Sequence, residues 1–217
     1  MNSKNINEFR SKITLNSEQK DILTGLMLGD GCLESQNKNR TYRLKIEQSL
    51  LHKEYVDWLY KKLKNLVLTE PKTKIKRIGS KTYQNYAFQT ISCSQLRFFA
   101  HQFYDQNSKK KKIPQIIGRL LNSLALAVWF MDDGQIKSTK HRALLINSQC
   151  FSKRDLGLLQ KVLKDKFGIE TTLKKEITGY RIYLLSKTIS NFLSIVNPYI
   201  LPSMRYKLGR INTLPKR

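Results

Sequence analysis

Two aspartates, Asp30 and Asp133, close two apolar runs that correspond to each other across the chain. The first is Leu23-Thr24-Gly25-Leu26-Met27-Leu28-Gly29-Asp30-Gly31, and the second is Leu126-Ala127-Val128-Trp129-Phe130-Met131-Asp132-Asp133-Gly134. The two acids stand 103 positions apart in 217 residues. Each run reads as a buried helix with a glycine just past its end, where a left-handed residue commonly terminates a helix. A carboxylate in a last helical turn faces the negative end of the helix dipole, which costs about 0.3–1 kcal/mol. Accepting that cost at two corresponding places points to a cation that offsets it. A lone Asp before Gly is more simply a turn residue; the duplication reverses that preference. Carboxylates paired in this way suit hard divalent cations, because Mg²⁺ needs only one or two of them besides waters and substrate phosphates. Two such cations can activate a water and stabilise a leaving oxygen when a phosphodiester is hydrolysed.

On these residues the chain resembles the LAGLIDADG homing endonucleases, in the single-chain form that carries both motif copies. The first copy keeps Leu23, Gly25, Leu26, Asp30 and Gly31; the second keeps Leu126, Ala127, Asp133 and Gly134, with Val128 in place of the first glycine. The resemblance implies that Asp30 and Asp133 are metal ligands, one site per DNA strand. Peptide carbonyls of Gly29 and Asp132 are implied to complete the coordination; the first copy has Gly29 where the second has Asp132, so a side-chain role for Asp132 would not be shared. The implied cofactor is Mg²⁺, with Mn²⁺ able to substitute and Ca²⁺ expected to bind without efficient turnover. The family also places a lysine near each scissile phosphate, and Lys111 and Lys207 fit those places. Lys110 and Lys112 remain alternatives to Lys111 within the Lys109–Lys112 run. The implied partner is double-stranded DNA with a long, asymmetric target, cut with short 3′ overhangs.

The elements that must position these residues also repeat. After Asp30 the stretch Tyr42 to Gln48 alternates as a half-buried strand does, and after Asp133 come Lys137 to His141 and then Arg142 to Gln149. Amphipathic helices are predicted over 52–66 and 153–167. Hairpins follow over 74–91, turning at Gly79-Ser80, and over 171–185, turning at Thr178-Gly179. Short helices over 94–103 and 188–196 close each half. The unit is helix, two strands, helix, two strands, helix, occurring twice. It agrees with the α+β fold implied by the resemblance: two pseudo-symmetric αββαββα repeats whose antiparallel sheets form a DNA-binding saddle, with the motif helices paired. The expected halves are 15–106 and 120–210, joined by a basic linker over 107–119.

Composition supports the same partner. Forty Lys and Arg against 16 Asp and Glu give a net charge of +24, which attracts polyanions strongly. A hydrophobic fraction of 40% allows a real core, so this is not a disordered basic tail. The strand regions concentrate the cations: Arg40, Arg43, Lys45, Lys74, Lys76, Arg77 and Lys81 with Tyr83 in the first half, and Lys137, Lys140, Arg142, Lys174, Lys175 and Arg181 with Tyr183 in the second. A two-stranded ribbon fits the major groove, where such side chains read base edges. Two similar but unequal halves imply a monomer reading a non-palindromic site.

Glu47 aligns with Asn147 across the halves and Gln48 with Ser148; ordering waters near the metals is one role open to Glu47, Gln48 and Asn147, and an ordinary polar residue at a strand end is the default. Cys32, Cys93 and Cys150 are odd in number and lack zinc-like spacing, which suggests a reducing compartment. The three histidines show no paired spacing; His141 is available to phosphate. No apolar run reaches the length of a membrane span, and the N-terminus lacks a signal-peptide core. The expected location is intracellular, in an organelle (mitochondrion or chloroplast) or the bacterial cytoplasm. The competing readings are an intron RNA splicing maturase and a sequence-specific DNA-binding protein without catalysis. Retention of both acids favours the nuclease.

Overall fold

The computed structural model describes residues 3–137 and 143–213. In chain order the elements are α1 (Ser3–Ser11), α2 (Ser17–Leu28), β1 (Cys32–Glu34), β2 (Arg43–Ser49), α3 (Lys53–Lys62), β3 (Lys72–Ile78), β4 (Lys81–Gln89) and α4 (Arg97–Phe103). They continue as α5 (Ile117–Leu120), α6 (Ser123–Asp133), β5 (Gly134–Ile136), β6 (Leu144–Ile146), α7 (Lys153–Phe167), β7 (Thr171–Glu176), β8 (Gly179–Leu184) and α8 (Ile189–Val196). A 3₁₀ segment over Pro202–Thr213 follows, with a break at Gly209. The strands form two antiparallel sheets, in the orders β1-β2-β4-β3 and β5-β6-β8-β7. The order is the same in both, as the internal repeat requires.

The chain divides into two compact units. The first holds Met1–Lys20 and Asp30–Ala100; the second holds Asp21–Gly29 and His101–Arg217. In the first unit, Leu44 and Ile46 alternate inward along β2 and meet the apolar side of α3, where Tyr55, Val56 and Leu59 are fully buried. Tyr60 of α3 packs edge-to-face on Phe88 of β4, with ring centroids 5.8 Å apart. In the second unit α6 is buried all round from Ala125 to Asp132, which explains why its sequence is apolar on every face. Leu156, Leu159 and Leu163 of α7, and Ile182 of β8, complete that core. α7 spans the predicted 153–167; the Ser152 side chain caps its start by accepting from the Asp155 amide, and left-handed Gly168 ends it.

The second unit also shows why the first motif needs its glycine. A Cβ at Gly25 would lie 2.5 Å from the Ala125 carbonyl oxygen and 2.6 Å from the Val128 Cβ. At Gly25, α2 therefore approaches the α6 backbone at a spacing only glycine permits. Val128, where the second copy departs from the pattern, is the residue filling that contact.

The expectation of a left-handed glycine after each motif fails at Gly31, whose φ is not positive, and at Gly134. The Gly134 backbone is extended (φ −74°, ψ 147°) and opens β5, pairing with Ile146. What requires glycine there is space: a Cβ would fall 2.3–2.5 Å from atoms of the Phe130 ring. The second hairpin also turns one residue earlier than predicted. Gly179 pairs with Glu176 inside the ladder, so the turn is Ile177-Thr178.

Candidate catalytic residues and nucleic-acid face

Within the second unit the C-terminal ends of both motif runs receive a lysine. Lys111 Nζ donates to the Gly29 carbonyl. Lys207 Nζ donates to the carbonyls of Met131, at 2.5 Å, and Asp132, at 2.6 Å. An ammonium on the exposed carbonyls of a helix end is a favourable placement against the helix dipole. The two lysines come from unlike segments. Lys111 stands in an extended piece bridged to Tyr104, just after a turn organised by Asp105. That carboxylate accepts from Asn107 N, Ser108 N and Ser108 Oγ, bonds led by those from Ser108 that hold it below the usual carboxylate range. Lys207 stands in the 3₁₀ segment. Among Lys109–Lys112, it is Lys111 that reaches a motif carbonyl.

The acids themselves are held through their neighbouring strands. In the first unit, exposed Asp30 accepts at Oδ2 from Gln48 Nε2, 2.9 Å away. His52 Nδ1 lies 3.5 Å from the Oε1 of the same amide. In the second unit the Asp133 carbonyl accepts from both the amide and the side chain of Asn147, at 3.0 and 3.1 Å. Gln48 and Asn147 thus stand beside the acids, each engaging a different part of its aspartate. Asp132 is buried, and its carboxylate lies over Gly29, where an added Cβ would be 2.3 Å from Oδ2. The first motif has glycine at 29 because the second has Asp at 132.

Glu47 differs from the expectation. It accepts from Asn85 Nδ2 at 2.8 Å and from Lys74 Nζ at 3.3 Å, and it is ion-paired with Lys76. These bonds, led by Lys76, hold its pKa down to about 2. Its oxygens are committed to the β3–β4 hairpin because the register places Ala87, opposite Glu47, next to Lys72 and two residues from Asn85, itself opposite Lys74.

The period of two then sorts the basic residues. Arg43, Lys45 and Glu47 alternate with buried Leu44 and Ile46 on β2, so they share the outer face of the first sheet. Pairing adds Glu34, Lys74, Lys76, Lys81, Tyr83 and Asn85 to that face. Arg77 lies on the opposite face, with Ile75. In the second sheet Lys174, Arg181 and Tyr183 share the outer face, whereas Lys175 follows Lys174 by one and turns the other way. Lys137 and Lys174 both stand over the Tyr183 ring, 5.9 and 4.7 Å from its centroid. Arg40 is exposed in the β1–β2 connection. Lys140, His141 and Arg142 lie outside the described residues.

Sequence reasoning missed two acids on these faces. Glu34 pairs with Arg43 at 3.1 Å and Lys45 at 2.8 Å, which holds its carboxyl below the usual range, Lys45 contributing most. Glu176 lies 3.7 Å from Arg181. A three-residue strand such as β1 leaves too little alternation to recognise, but its ladder puts Glu34 opposite Arg43.

Comparison with known proteins decides the family. The model of the LAGLIDADG DNA endonuclease family matches residues 20–192. The chain belongs to that family. It is 33% identical over 212 residues to the DNA endonuclease I-ChuI of Chlamydomonas applanata, covering 91% of this chain and 97% of that protein. It is 32% identical over 207 residues to the cytochrome b mRNA maturase bI2 of Saccharomyces cerevisiae, covering 90% of this chain and 48% of that protein. Among solved structures it resembles the homing endonuclease I-WcaI bound to its DNA recognition sequence, with a TM-score of 0.89, 27% identity, and coverage of 95% and 93% of the two chains. The α+β fold with two repeated antiparallel sheets is therefore that of a single-chain LAGLIDADG protein.

Proposed function

We propose that this protein is a site-specific DNA endonuclease that hydrolyses one phosphodiester in each strand of a duplex, with Asp30 serving one strand and Asp133 the other. The observation that carries this reading is the repeated placement of a lysine at a motif end: Lys111 on the Gly29 carbonyl, and Lys207 on the Met131 and Asp132 carbonyls. A helix end that only needed capping would gain little from a nearby carboxylate. Phosphodiester hydrolysis calls for a carboxylate to hold a divalent cation and an ammonium to meet developing charge.

The candidate donor set is entirely hard oxygen: the carboxylates of Asp30 and Asp133, and the carbonyls of Gly29 and Asp132, which accept from Lys111 and Lys207 here and would exchange an ammonium for the cation. It fits Mg²⁺, with Mn²⁺ as substitute, and bound Mg²⁺ would supply Lewis acidity and a more acidic water. The chain's own residues do the rest. Gln48 fixes the orientation of the Asp30 carboxylate. Asn147 fixes the backbone at Asp133. Lys111 and Lys207 present positive charge where charge develops on the phosphate oxygens in the transition state. Ca²⁺ binds the same oxygens in a looser shell and supports binding with little turnover.

The outer sheet faces read the duplex, the first half (15–106) one end of the target and the second (120–210) the other, with 107–119 joining them. The target is long and asymmetric, the enzyme is a monomer, and the cut leaves short 3′ overhangs. The similarity to the bI2 maturase supports intron RNA as a further partner, and the compartment is an organelle or a bacterial cytoplasm. The deciding experiment is cleavage selection from a randomised duplex library in Mg²⁺. One recovered sequence cut on both strands, and no cutting in excess EDTA, are expected. Efficient cleavage in EDTA would refute the metal mechanism, and recovery of no preferred sequence would refute the site-specific reading.

A further inference from the structure

The centre of the first sheet's outer face holds an anion where a DNA-facing surface would be expected to hold none. Glu47 stands among Lys74, Lys76 and Asn85 and accepts from all three. Its side chain is 25% exposed, whereas those of Lys74 and Lys76 are 51% and 52% exposed. Against phosphate this carboxylate is repulsive, so it weakens general DNA attraction. Something other than affinity must account for its placement.

The lysines supply the reason. Each has about 1.5–2 kcal/mol of rotamer freedom to lose on being fixed, and its ammonium, with three donors on a flexible stem, has no preferred direction. Free lysines on a ribbon would therefore bind any phosphate within reach. Lysines gripped by a carboxylate have fixed positions and spare donors, so they can reach a base acceptor such as O6 or N7 of guanine. A carboxylate offers about four acceptor sites. With three partners already on Glu47, little capacity remains for it to read a base itself. Glu34 holds Arg43 and Lys45 on the same face in the same manner.

We infer that Glu47 is a specificity-determining positioning residue, which fixes Lys74 and Lys76 for base recognition and disfavours their use as general phosphate contacts. The inference rests on the endonuclease reading above and deepens it. In the second sheet Asn147 occupies the place corresponding to Glu47, so no carboxylate stands at that position.

The test compares wild type with E47Q, E47D and K76M. Single-turnover cleavage is measured on the selected target and on all its single-base variants, and binding to a random-sequence duplex is measured by fluorescence anisotropy in EDTA across a KCl series. For E47Q, discrimination at the first-half positions that K76M also affects should fall by about tenfold, within the range of one base contact. Binding to the random duplex should strengthen, with a salt slope steeper by about one unit. E47D, which keeps the charge, should keep the wild-type slope and restore part of the discrimination. An E47Q profile equal to wild type, or one altered at positions that K76M leaves alone, would overturn the inference. So would equal losses in E47Q and E47D spread over both halves, which mark a merely structural role. If wild type cut no preferred sequence, the endonuclease reading would fall, while the E47Q salt slope on random duplex would still decide whether Glu47 restrains phosphate binding.

Discussion

At the scale of single residues, the lysines at the motif ends separate chemistry from attraction. Lys111→Met and Lys207→Met should each slow single-turnover cleavage on saturated DNA far more than they weaken binding, because the ammonium acts on charge that exists only in the transition state. A lysine that merely held backbone phosphate would do the reverse, flattening the salt dependence by about one unit and leaving the saturated rate intact. For the acids, Asp30→Asn and Asp133→Asn should each abolish double-strand cleavage while binding survives; wild-type double-strand cutting by either variant would remove that aspartate from the mechanism. The Glu47 carboxylate adds a pH dependence. Its folded pKa of about 2 lies below its ordinary 4.5. The stability it contributes is therefore fully present above about pH 4.5 and is lost as pH falls toward 2. Amide exchange in the β3–β4 hairpin, followed from pH 6 downward, should show protection constant to about pH 5 and then declining, and this acid-side decline should be absent in E47Q.

At the scale of elements, the contact between the 21–29 segment and α6 is set by backbone proximity. Gly25→Ala puts a methyl carbon against the Ala125 carbonyl and Val128, and should destabilise the protein by about 1–3 kcal/mol, as overpacking does. Because the nearest obstacle is backbone, Val128→Ala should not rescue it. Thermal melts of the single and double variants check this, and recovery of the wild-type midpoint in the double variant would show that the constraint is side-chain bulk alone. Gly25 and Val128 thus fit the two motif helices together at the spacing that the glycine allows.

At the scale of the whole molecule, a net charge of +24 secures DNA attraction, whereas the acids on the outer sheet faces, Glu34, Glu47 and Glu176, shape it. Replacing Lys76 should alter cleavage preference at one end of the target, and replacing Lys174 or Arg181 at the other. Arg77 lies on the far face of its strand from Lys76, so Arg77→Ala should leave the preference profile unchanged. Profiles altered equally at both ends by Lys76 and Arg181 replacements would count against two half-site readers.

The sequence by itself determined the repeat, the fold class, the paired acids, and most elements to within a few residues. These are local properties, since apolar runs, alternation and caps are written in neighbouring residues, and duplication makes each visible twice. It also brought Lys111 and Lys207 into view, although only through the family resemblance. Tertiary structure decided what depends on register and approach. It brought Lys111, one of an undifferentiated lysine run, to the Gly29 carbonyl. It turned Arg77 and Lys175 away from the outer faces, because a ladder fixes which side each residue takes. It gave Gly134 a steric role against Phe130 in place of a conformational one, and it committed Glu47 to the hairpin lysines. Phe130 is four residues from Gly134, but Lys111 and Glu47 meet partners 82 and 27 residues away. Each pairing exists only once strands align and helices close to the distance their glycines allow.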